Sequence, residues 1–213
     1  MKLFHVLRSP WRWIPLSIAV VLGGIWMFSP TARLAVRGVA ASKIDKAKLV
    51  DAHTYDSAWF DAARAGRIDI LGALLDAGYP VNAHTSQGYT ATILTAYDGQ
   101  PAALDYLLSR GADPCLGDHN GNTALMGALY KGEIDIARRM LKTACPVDQV
   151  NNAGETALSF AVMFGRLGMV QELVVRGADP QHRDGKGDTP YAVAKKQGNE
   201  EAMQALREVA RSK

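Results

Sequence analysis

Cysteine is scarce in this chain. Its 213 residues carry two, too few for a disulfide framework or a cysteine-rich zinc module. Catalytic signatures are missing as well. The five histidines, His5, His53, His84, His119 and His182, show no short metal-ligand spacing, and there is no P-loop, nucleophile elbow or H-E-x-x-H segment. Positive charge is in short supply after position 50. The net charge of +3 hides eight Lys/Arg against one acid, Asp45, in residues 1–50, which leaves 16 basic and 20 acidic residues after them. That remainder has no cationic excess to neutralise phosphates, so nucleic acid is excluded as its expected ligand. Apolar residues at 48% and charged residues at 21% are the balance of an ordinary globular protein, which excludes wholesale disorder and a polytopic membrane protein.

The N-terminal arm stands apart. Lys2, Arg8 and Arg12 precede an uncharged apolar run of 16 residues, Trp13 to Phe28, in the order of an export signal. As a helix the run spans about 24 Å, short of the roughly 30 Å hydrocarbon core. Trp11, Trp13 and Trp26 lie near its ends, where indoles favour the interface. Ser29-Pro30-Thr31-Ala32 is a poor cleavage site because Pro30 stands where a small residue is wanted. Residues 1–32 therefore read as a retained single-pass anchor, with a cleaved signal or a buried helix as alternatives, and residues 33–50 as a basic tether. Orientation is contested. The signal-like order favours export to the periplasmic side of the inner membrane, whereas Arg33, Arg37, Lys43, Lys46 and Lys48 behind the run favour a cytoplasmic C-terminal side.

After the arm comes a repeat. Gly88, Gly121, Gly154 and Gly187 are 33 residues apart; Thr90, Thr123, Thr156 and Thr189 follow them at two residues, and Gly99, Gly132, Gly165 and Gly198 at eleven. One period earlier, Tyr55, Ser57 and Gly66 mark a degenerate first copy. A second marker, Gly78, Gly111, Ala144 and Gly177, opens GYPVN, GADPC, ACPVD and GADPQ with the same period. The copies TATILTAYDG, TALMGALYKG, TALSFAVMFG and TPYAVAKKQG are each followed by an apolar segment such as ILGALLDAG or MVQELVVRG. This pattern resembles the ankyrin-repeat family: a turn glycine, T-P-L-H-x-A-A, a loop glycine, an apolar second helix, and a closing L-L-x-x-G-A-D. The resemblance covers about residues 51–213. It implies an all-α solenoid of about five 33-residue helix-turn-helix repeats, near 52–84, 85–117, 118–150, 151–183 and 184–213, behind the N-terminal signal or transmembrane helix.

The residues themselves explain such a fold. Each threonine stands where its hydroxyl can accept an orphan N–H at a helix start. Pairs such as Leu104 then Leu107/Leu108, or Met169/Val170 then Leu173/Val174, mark one helical face. No single repeat can bury that face, so neighbours must stack. Ala63, Ala96, Ala128 and Ala161 permit close approach, and the polar last segment, Glu200, Glu201, Gln204, Arg207, Glu208 and Arg211, suits an end cap. Departures are expected to matter. Trp59 and Phe60 replace smaller residues in the first copy, which reads as an N-terminal cap; Thr92 and Thr95 stand where Leu and Ala are usual; Ala144 replaces a helix-ending glycine.

Two motifs superficially suggest ligand loops. Asp118-His119-Asn120-Gly121-Asn122 resembles a calcium loop, but its glycine is fourth instead of sixth and no glutamate closes it. Asp184-Gly185-Lys186-Gly187-Asp188 reads as a repeat turn too. Cys115 and Cys145 lie near neighbouring corners but three places apart within the period. Helices stacked about 8–10 Å apart lie outside the ~7 Å that a disulfide spans, so two free, packed thiols are expected, with a disulfide as the alternative.

In the family, hairpin tips and first-helix ends line a concave partner-gripping face. Residue by residue the resemblance implies Arg64, Tyr97, Asp98, Tyr130, Lys131, Met163, Phe164 and Lys196 from the helix ends, and Tyr89, His119, Asn122 and Glu155 from the tips. Tyr97, Tyr130 and Met163 form a row, read as a binding strip or, alternatively, as packing between repeats. The expected function is non-enzymatic: a monomeric, membrane-tethered module that binds a protein, with no cofactor, metal, nucleic acid or small-molecule substrate. Proteins that look like this in bacteria neutralise toxins as immunity proteins or assist an envelope enzyme such as a catalase. The alternative is a cytoplasmic-facing scaffold.

Overall fold

The computed structural model describes residues 52–211. The arm, with the expected anchor over 1–32 and tether over 33–50, lies outside the described residues. No helix among the described residues is long and apolar enough to cross a membrane. The described residues form one compact unit.

A short 3-10 turn, Ala52–Tyr55, leads into five helix pairs. They are α1 (Asp56–Arg64) with α2 (Ile68–Asp76), α3 (Ala91–Tyr97) with α4 (Pro101–Ser109), α5 (Ala124–Lys131) with α6 (Ile134–Met140), α7 (Ala157–Met163) with α8 (Leu167–Val175), and α9 (Pro190–Lys196) with α10 (Glu200–Arg211). There is no strand among the described residues, only isolated bridges between His84 and Thr90 and between Gly117 and Thr123. First helices pack on first helices along the array.

The threonines act as read from the sequence. Thr90, Thr123, Thr156 and Thr189 accept the N–H of Ile93, Met126, Ser159 and Ala192 at 3.2–3.4 Å, each capping a first helix. Between repeats, the hairpin before each cap is closed by one side chain: Thr85 Oγ1, Asp118 Oδ1, Asn151 Oδ1 and Asp184 Oδ1 each accept two backbone N–H groups of their own turn. The tips are then tied to one another. His119 N–H donates to Gln87 O, Asn152 N–H to Asn120 O and Gly185 N–H to Ala153 O, at 2.8–3.0 Å. Glycine is needed for that approach: a Cβ on Gly88, which also has φ +85°, would lie 2.5 Å from the His119 nitrogen.

The core runs through the stack. Leu71, Leu104, Leu107, Leu129, Leu158, Met169 and Leu173 are fully buried, as are Ala63, Ala96, Ala128 and Ala161. Trp59 and Phe60 are buried, Trp59 packing on Tyr79 with ring centroids 5.0 Å apart. Of the two exceptional threonines, Thr95 donates to Thr92 O at 3.0 Å, as expected of a buried hydroxyl. The Thr92 hydroxyl, also expected to find a backbone partner, has none within its buried site.

The second helices carry a ladder of ion pairs between residues 34 apart: Arg110 with Asp76, Arg139 with Asp105, and Arg138 with Glu172. These exposed pairs are worth at most about 1 kcal/mol each.

The corners correct one expectation. Cys115 and Cys145 are joined by a disulfide with Cα atoms 5.3 Å apart; the thiols are not free. The stacked-helix distance does not apply, because both residues lie in corner loops after the second helices. There the contacts skip 31 positions, not 33: Asn82 Oδ1 accepts the N–H of Asp113, and Asp148 accepts that of Asp179. Cys115 occupies the place of Asn82 and Asp148 in the period. Its counterpart would be Pro146, which has no N–H to donate. At the one such corner where the hydrogen bond is impossible, a covalent bond to the preceding residue stands in for it. Ala144 belongs to the same corner, and α6 before it ends at Met140, two residues short in register of α2, α4 and α8.

Candidate interaction face

Of the expected row along the first-helix ends, Tyr97 and Tyr130 meet, and Phe164 rather than Met163 is the ring that continues from Tyr130. Tyr97 and Tyr130 stack with centroids 5.8 Å apart and planes 14° apart. Phe164 meets Tyr130 edge-on at 4.8 Å, and Phe160 lies 5.7 Å from Phe164. The tyrosines pack on each other across repeats, as the packing alternative expects, yet Tyr97 is 37% and Tyr130 45% exposed. Stacking pre-orders their rings and reduces the ordering cost that loose surface side chains meet on binding.

Backbone contacts hold the strip from behind. Arg166, from the loop after α7, donates to Leu129 O and Tyr130 O, both at 2.9 Å. These are carbonyls at the C-terminal end of α5, where a cation is also favoured by the helix dipole. Its guanidinium lies 3.0 Å from where a Cβ on Gly132 would be.

Electrostatics around the strip are mixed. The Lys131 ammonium lies 4.8 Å from the Tyr97 ring centroid, a cation–π contact. Burial pushes the Tyr97 hydroxyl pKa above its ordinary value, with help from neighbouring Tyr130, Tyr89 and Asp98. The tyrosine is thus held neutral as a donor and acceptor over a wider pH range.

The remaining expected site residues divide. Met163 and Tyr89 are half-buried beside the strip, and Asp98 is exposed. His119 is exposed at its tip and meets His84 edge-on at 6.2 Å. Asn122 and Glu155 are tied into the turn network: Asn151 Nδ2 donates to both, at 2.9 Å. Arg64 pairs with Asp61 at 3.2 Å and Lys196 with Asp188 at 2.5 Å, in the first and fifth repeats, so they flank the strip without joining it. Two residues were missed. Phe160 extends the aromatic cluster, and Gly127 opens a hollow beneath it. The signal was in the period: Gly127 stands where other copies have Leu94, Phe160 and Val193.

Among the described residues no group of three His, Cys, Asp or Glu side chains is placed to hold a metal ion. In the Asp118 loop, calcium-like in sequence, Oδ1 of the carboxylate accepts the N–H groups of Asn120 and Asn122 and so closes the turn.

Comparison with known proteins agrees with this architecture. A family model described as ankyrin repeats (3 copies) matches residues 59–151 and 93–184. The mitochondrial disaggregase of Bos taurus is 32% identical over 71% of the chain, and that of Homo sapiens 30% identical over 94%. The chain spans only 22% and 31% of those two relatives. The putative ankyrin repeat protein YahD of Escherichia coli (strain K12) is 28% identical, with 68% of the chain matched and 92% of the relative covered.

Proposed function

Since the chain belongs to the ankyrin-repeat family, whose arrays are protein–protein interaction modules, we propose that its Tyr97–Tyr130–Phe164 strip is the surface that holds a protein partner. The observation that carries this is the pairing of exposure with pre-ordering in the same rings. Aromatic side chains dominate interface energetics when they are held rigid and then desolvated. Tyr130 is the centre of the strip, in contact with Tyr97 on one side and Phe164 on the other.

The second part of the reading is location. A disulfide between two repeats suits an oxidising compartment and is rare in the cytosol. With the basic-then-apolar order of the arm, it supports an exported array tethered at the inner membrane over a cytoplasmic-facing scaffold. Two kinds of partner suit that placement: a toxin whose active surface is capped, and an envelope enzyme, such as a catalase, that is held in place.

The test is capture of partners from cell envelopes by the full chain. Tyr130→Ala should weaken the captured complex by roughly 30-fold or more. Val175→Ala, on a second-helix residue that is 79% exposed, should leave it unchanged. Equal binding by both variants refutes the strip. Alkylation of thiols in intact cells reads location separately: Cys115 and Cys145 should be protected until a reductant is added, and immediate labelling refutes the exported reading.

A further inference from the structure

Beneath the strip lies a hollow of about 180 Å³, walled by Tyr89, Tyr97, Tyr130 and Phe160. Gly127 opens it. This glycine sits inside α5, where glycine costs about 1 kcal/mol relative to alanine. The fold does not demand it: a Cβ there would meet only Tyr97 Cδ2, at an ordinary 3.8 Å. The space is therefore made by a residue that packing alone would not choose.

Its chemistry is one-sided. Ring faces carry negative potential, and Lys131 already shows that the Tyr97 ring takes a cation. Asp118 also lines the hollow. Its Oδ1 accepts two backbone N–H groups and its Oδ2 one contact from Asn122 Nδ2 at 3.3 Å. A carboxylate has about four acceptor sites, so one on Oδ2 is open. An apolar occupant would strip water from it without replacing the hydrogen bond. A guanidinium would donate to it while lying flat on the rings, which an ammonium does less well.

We propose that the hollow over Gly127 seats one arginine side chain of the partner, between the tyrosine rings and the Asp118 carboxylate. This rests on the strip being the partner-binding surface. Lys131 is then a resident competitor for the same ring.

The test titrates the full chain with three small probes at physiological salt, read at the Gly127 amide by NMR. N-acetyl-arginine amide should saturate that signal. N-acetyl-citrulline amide, the same shape without charge, and N-acetyl-leucine amide should bind at least about tenfold more weakly. Lys131→Ala should tighten the arginine probe severalfold. Gly127→Leu, which copies Leu94, should abolish binding, and Gly127→Ala should weaken it. Equal binding of citrulline or leucine overturns the proposal even if Gly127→Leu fails to fold. So does arginine binding that Gly127→Ala and folded Gly127→Leu leave untouched. With captured partner, loss on Tyr130→Ala but full retention on Gly127→Leu overturns the arginine seat and leaves the strip standing; retention in both refutes the strip itself.

Discussion

Thr92 is the residue at which this sequence disagrees most with its own fold. It occupies the place of Leu125 and Leu158 in the period, is 1% exposed, and leaves its hydroxyl without a partner. A buried unsatisfied polar group costs about 1–3 kcal/mol. Thr92→Val keeps the shape and removes the hydroxyl, so it should stabilise the protein by about 1 kcal/mol and raise the thermal midpoint by roughly 2–4 °C. Calorimetry checks this; an unchanged or lower midpoint would mean that the hydroxyl is satisfied by solvent. At Leu104, fully buried between repeats, truncation to alanine should cost about 2–5 kcal/mol. The contrast between the two sites lies in what is removed: an unpaired dipole in one, packed methyl groups in the other.

Among the elements, the corner between α6 and α7 behaves unlike its counterparts. Closing a loop of 30 residues should contribute about 3–4 kcal/mol by limiting the unfolded chain, so reduction should lower the denaturation midpoint accordingly. The variant Cys115→Asn, Cys145→Ala, Pro146→Asp copies the corner built by Asn82, Ala112 and Asp113. It should recover about 1 kcal/mol of that loss through one restored hydrogen bond; no gain over Cys115→Ala, Cys145→Ala would show that the two corners are not interchangeable. How much of this was legible depended on which period the eye follows. The helix pairs and their threonine caps repeat at 33 and could be read from glycine and threonine spacing, whereas the tyrosine row came from the family resemblance. The N–H contacts of Asp113 with Asn82 and of Asp179 with Asp148 span 31 positions, and the second-helix ion pairs span 34. Neither offset leaves a mark in the sequence, which is why the cysteines were misjudged. Gly127 was visible as a deviation from Leu94, Phe160 and Val193, but its hollow depends on how Tyr97 and Tyr130 stack, which spacing does not encode.

At the scale of the whole molecule, stability is the sum of contacts between neighbours, and charge tunes it. Two hydrogen bonds from Arg67 hold the Asp69 carboxyl down to about 2. The hydrogen bond from Arg138 lowers that of Glu172, and at Asp184 burial pushes upward but the N–H groups of Asp188 and Lys186 bring the carboxyl net below its usual value. All three are depressed in the folded state, so the unfolded chain binds protons first. The stability they contribute is whole above about pH 4.5 and is lost as pH falls toward about 2. Thermal scans across that window should show a declining midpoint, and Glu172→Gln should decline less; a midpoint flat from pH 5 to pH 2.5 would contradict this. A stack joined in series also has a mechanical character, and the Cys115–Cys145 bond alters it. Pulled from its two ends, such an array should lengthen by peeling units from the outside inward. The chain between the two sulfurs, carrying α5 and α6, is shunted out of the line of force. At about 3.3–3.6 Å per residue, the separation of 30 withholds about 100 Å of extension, which should appear in a force trace when reductant is added. The segment so shielded is the one that bears Tyr130 and Gly127, so tension that unravels the flanking repeats would reach the centre of the aromatic strip only after the bond is cut.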